Sequence, residues 1–291
     1  MPGRSGVKRA ARAVACALLL SVALPGMAAP ALSDLAQQIR AERVQAYEGM
    51  VLQFSARIES GDAQGRDLAE LFRNRGVARN YLLQYPEALQ DFSRAVEIDQ
   101  VNPQYYEDRA ITHIKLREYE SAAHDLDMAL GLDSKRASAY REKGRLAFYQ
   151  KDFYRASQEF SRALQHAEGD QVVYAVMWIE LALRRGDIDR QGPIGMVAAQ
   201  IQAQQWPAPV VQMLAGQMEP EAAIEAASDS NPRQTLMKQC EAYFYAGQQY
   251  LLRGERDKAK AAFEAAVATD VTEFLEYDWS VQELEVLGDS N

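Results

Sequence analysis

The sequence predicts an all-α protein built as an array of stacked helical hairpins, and three observations carry that prediction. First, residue columns recur at a 34-residue interval: Gly76, Ala110 and Gly144; Ala88, Ala122 and Ala156; Phe92, Leu126 and Phe160; Ala95, Ala129 and Ala163, each unit with an aromatic near its front at Phe72, Tyr106 or Tyr140. Helices that cross closely cannot carry a large side chain at the crossing, so Gly or Ala recurs there. Second, no stretch sustains strand-like alternation beyond a few residues. Third, Asn102-Pro103 and Asn231-Pro232 mark element boundaries, since proline suits the first turn of a helix.

The columns resemble the tetratricopeptide (TPR) repeat, in which two antiparallel helices form a unit and neighbouring units bury each other's apolar faces. The resemblance implies an α-solenoid, here with an irregular helical insertion. Along the chain we expect a leader over 1–31, an N-terminal helix over 32–66, three repeats over 67–170, a degenerate repeat with the insertion over 171–231, and a last repeat with a capping helix over 232–291.

The leader is read from Arg4, Lys8, Arg9 and Arg12, the apolar run Ala13 to Leu24, the Pro25-Gly26 break and small residues to Ala31, the order of a secretory signal peptide cleaved after Ala28 or Ala31. The apolar run has 12 residues, short of the roughly 20 that span a bilayer. We therefore expect export to the periplasm of a Gram-negative bacterium, with no transmembrane segment. Cys16 lies near the start of the run rather than just after it, so a lipid anchor is not expected.

Ser33 or Asp34 is expected to cap the first helix, which runs to Glu59 with an apolar stripe at Leu35, Ile39, Val44, Tyr47, Val51, Phe54 and Ile58. The stripe serves either as a dimerisation element (34–59) or as a packing face for the first repeat. Gly61 to Gly65 breaks the helix; Tyr85 and Pro86 mark the turn inside repeat one, Lys151 and Asp152 the turn inside repeat three. Val172 to Arg185 reads as a first helix without an on-schedule second one. A helix over Ile194 to Gln204, the Trp206-Pro207-Ala208-Pro209 bend and two short pieces to Ala227 follow it. Tyr243, Gly247, Tyr250, Ala259, Phe263 and Ala266 restore the columns, with Gly254 at the turn, and Thr272 to Leu287 closes the stack.

Charge and chemistry restrict function. The net charge is −9, and removing the leader's four cations and no anions gives −9 − 4 = −13. Such acidity argues against nucleic acid as a partner. Cys240 is the one cysteine left after the leader, expected at a helix start and inert, so no disulfide framework supports the fold. His113, His124 and His166 lack metal-ligand spacing, there is no phosphate-binding glycine loop and no nucleophile elbow. No metal, no cofactor and no catalytic site are expected; the chain reads as a non-enzyme. A hydrolase site in 186–231 would have only Asp187, Asp189, Glu219 and Glu221 to draw on, and Glu219 to Glu221 reads as a helix start.

A binding surface has more support. In stacked helix pairs the first helix of each unit lines the concave side. Residues there outside the packing columns are Glu70, Arg73, Asn74, Val77 and Tyr81 in repeat one, and Gln104, Glu107, Asp108, Ile111 and Lys115 in repeat two. Repeat three adds Ser138, Arg141, Glu142, Arg145, Phe148 and Tyr149. The expected protein-binding groove is Arg73, Asn74, Tyr81, Glu107, Asp108, Ile111, Lys115, Arg141, Arg145, Phe148 and Tyr149, a mixture suited to an extended or helical peptide. The clamp by which some TPR domains grip a C-terminal carboxylate is not expected: Val77 and Asp108 stand where Asn is needed, and Ser138 and Glu142 where basic residues are needed. These acids should repel a carboxylate.

Tyr174-Ala-Val-Met-Trp-Ile-Glu-Leu-Ala, Trp206 to Ile224, Phe244-Tyr-Ala-Gly followed by Ala259, Phe263 and Ala266-Val-Ala, and the end Glu283-Leu-Glu-Val-Leu-Gly288 resemble the bacterial envelope lipoprotein family NlpI. The resemblance covers Leu68 to Gly288 and implies a periplasmic homodimeric adaptor whose partners are peptidoglycan hydrolases or a processing protease. The chain departs from that family in having no cysteine between Cys16 and Cys240. The alternative is a structural subunit of an envelope machine for secretion, pilus assembly or polysaccharide export, using its outer side and termini.

Overall fold

The computed structural model describes residues 29–189, 192–202, 205–272 and 274–288; residues 1–28, most of the expected leader, lie outside them. The described residues form fourteen helices and no strand: α1 (Ala29–Glu59), α2 (Gly65–Tyr81), α3 (Tyr85–Ile98), α4 (Pro103–Leu116), α5 (Tyr119–Leu132), α6 (Ala137–Tyr149), α7 (Phe153–His166), α8 (Asp170–Arg185), α9 (Ile194–Gln200), α10 (Ala208–Leu214), α11 (Pro220–Glu225), α12 (Pro232–Leu252), α13 (Arg256–Ala268) and α14 (Leu275–Gly288). Residues 43–197 make one compact unit; residues up to 42 and from 198 onward make the other.

The 43–197 unit contains three hairpins, α2/α3, α4/α5 and α6/α7, followed by α8; each second helix also packs on the first helix of the next pair. Within a hairpin the small column lets a ring lie on backbone. A Cβ added to Gly76 would come within 2.9 Å of the Phe92 ring, and one added to Gly144 within 2.7 Å of Phe160. Repeat two makes the complementary choice, Ala110 facing the smaller Leu126, all three second-helix side chains being fully buried. Packing at interior density explains the pairing: one methyl gained on one helix is offset by a smaller group on the other.

The inner turns repeat as closely. Gln84 N–H donates to Arg79 O, Glu118 N–H to His113 O and Asp152 N–H to Ala147 O, each at 2.9 Å. Leu83, Arg117 and Lys151 supply the left-handed residue, with φ of 60°, 63° and 61°. This is the Schellman closure that satisfies the last carbonyls of a helix, built here without glycine.

A charged column ties the stack together. Arg109 forks Asp125 across its hairpin through Nε and Nη2, both at 2.7 Å, and its Nη1 donates back to Ser93 Oγ on α3 at 3.3 Å. Arg75 repeats the arrangement with Asp91 (Nη2 to Oδ1, 2.7 Å) and with Ser55 on α1 (3.1 Å). Residues 43–59 of α1 thus occupy the place that a preceding second helix would take, and Tyr47 stacks on Tyr81 with ring centroids 4.5 Å apart. Of the two roles expected for the apolar stripe, this packing onto repeat one is seen. In repeat three Lys143 replaces the arginine and reaches back to Asp127 at 2.6 Å, leaving Glu159 to Arg162. An ammonium lacks the fork that would let it serve both sides.

Beyond repeat three, every residue of α8 from Ala175 to Leu183 is buried, as in a helix enclosed on all sides. Trp178 stacks on Phe160 (5.5 Å) and meets Phe148 edge-on (5.6 Å).

In the other unit α12 and α13 form the fourth hairpin. A Cβ on Gly247 would fall 2.5 Å from Phe263, and Gly254 (φ 75°) carries the same turn, closed by Glu255 N–H to Tyr250 O at 2.9 Å. α14 packs on both helices and buries Trp279; α10 and α11 pack on α12 and on each other. The early part of α1 joins through Ala36, in a cluster with Leu236, Cys240 and Val271, and through Arg40–Asp270 at 3.2 Å.

Four local expectations need correction. α1 begins at Ala29, so Ser33 and Asp34 lie inside it and do not cap it. Tyr85 and Pro86 start α3 rather than forming the turn, because proline at N2 lacks only an N–H that the first turn leaves unbonded anyway. α9 stops at Gln200, not Gln204. Cys240 sits well inside α12, fully buried, and burial pushes its thiol pKa well above the ordinary value.

The ring-on-glycine contact yields a test. Gly144→Ala should cost about 1–3 kcal/mol by overpacking. The same substitution made in a Phe160→Leu background, which copies repeat two, should cost clearly less. Urea unfolding of the four proteins in the cycle measures both; equal costs in the two backgrounds would contradict the size-compensation account.

Candidate functional site

The first helices α2, α4 and α6 stand side by side in the 43–197 unit. The 34-residue period stacks their inner residues into rows: Glu70, Gln104, Ser138; Arg73, Glu107, Arg141; Asn74, Asp108, Glu142; Val77, Ile111, Arg145; Tyr81, Lys115, Tyr149. Bonds between neighbouring helices join the rows. Arg73 Nε donates to Asp108 Oδ2 at 2.6 Å, and Tyr105 OH to Glu70 Oε1 at 2.7 Å. Asn80 Nδ2 donates to Thr112 Oγ1 at 2.8 Å, and Arg136, just ahead of α6, reaches both Glu107 and Gln104 on α4. On α6, Arg145 Nη1 donates to Glu142 Oε1 at 2.7 Å and Arg141 Nε to the same oxygen at 3.3 Å.

These bonds sort the expected groove residues by depth. Arg73, Asn74, Val77, Tyr81, Ile111, Lys115, Arg141, Arg145 and Tyr149 are half-buried with part of each side chain at the surface. Glu107, Asp108 and Glu142 are buried beneath the guanidinium groups that bind them, which removes them from the exposed wall. Phe148 is also withdrawn: it is 6% exposed and packs on Phe153 and Trp178, with the Arg185 guanidinium over its ring. Helical periodicity explains the misplacement, since position 148 faces α7 and α8. Lys115 lies over the Tyr85 ring at 5.6 Å.

Two groups respond to this environment. Burial raises the Asp108 pKa above the ordinary carboxylate value, against the opposing pull of Arg73. Burial, with the Glu70 carboxylate accepting its hydroxyl proton, pushes Tyr105 up to about 12.

The histidines do not converge. His113 Nδ1 is 2.7 Å from Glu118 Oε2, His124 is exposed on α5, and His166 stacks on Tyr140 at 6.0 Å. Among the described residues no group of three His, Cys, Asp or Glu is arranged to hold a metal ion, and no helix is long and apolar enough to cross a membrane.

Sequence reasoning missed the polar columns. Arg75, Arg109 and Lys143 share the 34-residue period, as do Asp91, Asp125 and Glu159, each acid position following the basic one by 16 residues, and the first two of these pairs form in the fold. That signal was present, but charged residues on helices are ordinarily solvated and invite no pairing.

Asp108 supplies a pH test. Its raised pKa means that the folded state holds the proton to higher pH than the unfolded chain does, so its contribution to stability is full below the ordinary carboxylate value and falls as pH rises through the folded value. Thermal melts should therefore show the stability of the native protein relative to Asp108→Asn declining as pH rises above the ordinary aspartate value of about 4. A difference that grows as pH rises would mean that Arg73 outweighs burial.

No family model matches the chain, and no curated protein does. Solved structures resemble it. A tetratricopeptide repeat protein from Parabacteroides merdae is 14% identical with a TM-score of 0.52, covering 88% of this chain and 98% of its own. PilF of Pseudomonas aeruginosa is 17% identical with a TM-score of 0.45, covering 75% of this chain and 99% of its own. The TPR domain of Arabidopsis OM64 is 23% identical with a TM-score of 0.35, covering 37% of this chain and 89% of its own. The first of these likenesses, together with the four hairpins, shows a TPR-type all-α helical array.

Proposed function

We propose that the chain is a non-catalytic adaptor that holds another polypeptide on the first-helix wall of its three consecutive repeats. The observation that carries this reading is the wall itself: Asn74, Val77, Tyr81, Ile111 and Tyr149 lie part-exposed beside arginines whose positions are set by buried carboxylates. Aromatic and arginine side chains held in place lose little entropy on binding, which is why they dominate protein interfaces. The leader motif supports a periplasmic setting, and the resemblance to the NlpI family supports peptidoglycan hydrolases or a processing protease as partners.

A second reading, a structural subunit or homodimer joined through α1, draws on a different observation. Met50 and Leu52 are exposed on α1, Leu52 at 72%.

Capture of partners from an envelope extract separates the two. The paired substitution Arg141→Ala/Tyr149→Ala should abolish recovery of partners that the native chain retains, and unchanged recovery would put the site elsewhere. Met50→Glu/Leu52→Glu should leave recovery intact under the adaptor reading; loss of a dimer or larger complex in sedimentation would favour the second.

A further inference from the structure

The charges of the wall are segregated by depth, and this bears on what it binds. Read along the chain, the wall and its rim look balanced: Arg73, Lys115, Arg136, Arg141 and Arg145 against Glu70, Glu107, Asp108 and Glu142. In the fold, three of the four acids lie underneath. The side chains of Glu107 and Glu142 are 4% and 2% exposed and that of Asp108 is 11%, whereas Arg73 and Arg141 keep 26% and 29%. Each buried carboxylate already accepts from a guanidinium. The remaining acid, Glu70, stands at the edge of the wall with 41% of its side chain exposed, accepts from Tyr105 and lies 3.9 Å from Arg73 Nη1.

We infer that the wall selects an acidic, extended polypeptide segment; the inference rests on the adaptor reading above and names its partner's chemistry. The acids expected from sequence to repel a carboxylate do not face one. What an approaching chain meets first is the N–H fork of Arg141, bound within the described residues only through Nε to Glu142; that of Arg73 is more committed, bound through Nε to Asp108 and Nη1 to Asn74 with Glu70 Oε2 3.9 Å away. Both arginines belong to one row, in repeats one and three, with the buried Glu107 at the same position between them. A planar fork matches a side-chain carboxylate through two parallel hydrogen bonds. Tyr149, at the far row of α6, is half-buried and keeps part of its side chain at the surface, while the Tyr81 ring at the same row of α2 is stacked on Tyr47. A basic segment would instead set its cations against these guanidinium groups, with their countercharges already taken up from below.

Fluorescence anisotropy of the full chain tests this with three labelled peptides of one length: alternating Glu and Ser, alternating Lys and Ser, and alternating Gln and Ser. The glutamate peptide should bind best. Arg141→Glu should weaken it by about tenfold or more while Arg141→Lys retains part of the affinity. Melting of both variants near the native temperature establishes that the fold is kept. An unchanged affinity in Arg141→Glu overturns the inference. A lysine or glutamine peptide that binds as well, and is lost on Tyr149→Ala, overturns the acidic preference but leaves the adaptor reading in place. Failure of all three peptides to bind overturns both.

Discussion

In three of the four hairpins an aromatic ring lies on helix backbone, and the rest of the array depends on this close packing. Phe92 on Gly76, Phe160 on Gly144 and Phe263 on Gly247 leave no room for even a Cβ. The spacing of the wall therefore follows from the volume of a few buried groups. Repeat two reaches the same geometry with Ala110 and Leu126, so the constraint acts on summed volume rather than on glycine itself.

Polar contacts then fix register. A Phe–Gly contact alone would tolerate some sliding, but the forked Arg75–Asp91 and Arg109–Asp125 pairs hold to one angle and one height. Each arginine also reaches the helix before it, so three helices are tied by one side chain. Residues 43–59 of α1 enter this scheme through Ser55 and so terminate the stack without a hairpin of their own. A similar logic governs the wall: Arg73–Asp108 and Arg136–Glu107 bridge successive first helices and decide which groups stay at the surface. The residues of the proposed binding wall are thus the same ones that carry the structural ion pairs.

The other unit shows what happens when the pattern is only partly kept. Its hairpin has the same ring, the same small residue and the same turn, yet α12 is enclosed by α10, α11, α13 and α14. Gln239, Glu241, Gln248 and Gln249 are buried there, and Gln248 donates to Glu283 at 2.9 Å while Trp206 donates to Glu241. Among the described residues α12 is therefore buried on most of its faces, whereas α2, α4 and α6 keep half-buried side chains at the surface.

From the sequence alone came the helical class, the 34-residue period, the Asn-Pro starts and the hairpins, because these follow from steric size and backbone preference acting over a few residues. Asn102 and Asn231 accept from Gln104 N–H and Arg233 N–H as such caps should. The same local logic named the rows of the wall. It could not tell that Glu107, Asp108 and Glu142 would be buried, that Phe148 would turn toward Trp178, or that Lys143 would leave Glu159 to another partner. Those outcomes depend on which neighbour arrives from more than a helix away, and on whether a carboxylate or its arginine lies nearer to water. Only the packed helices decide that.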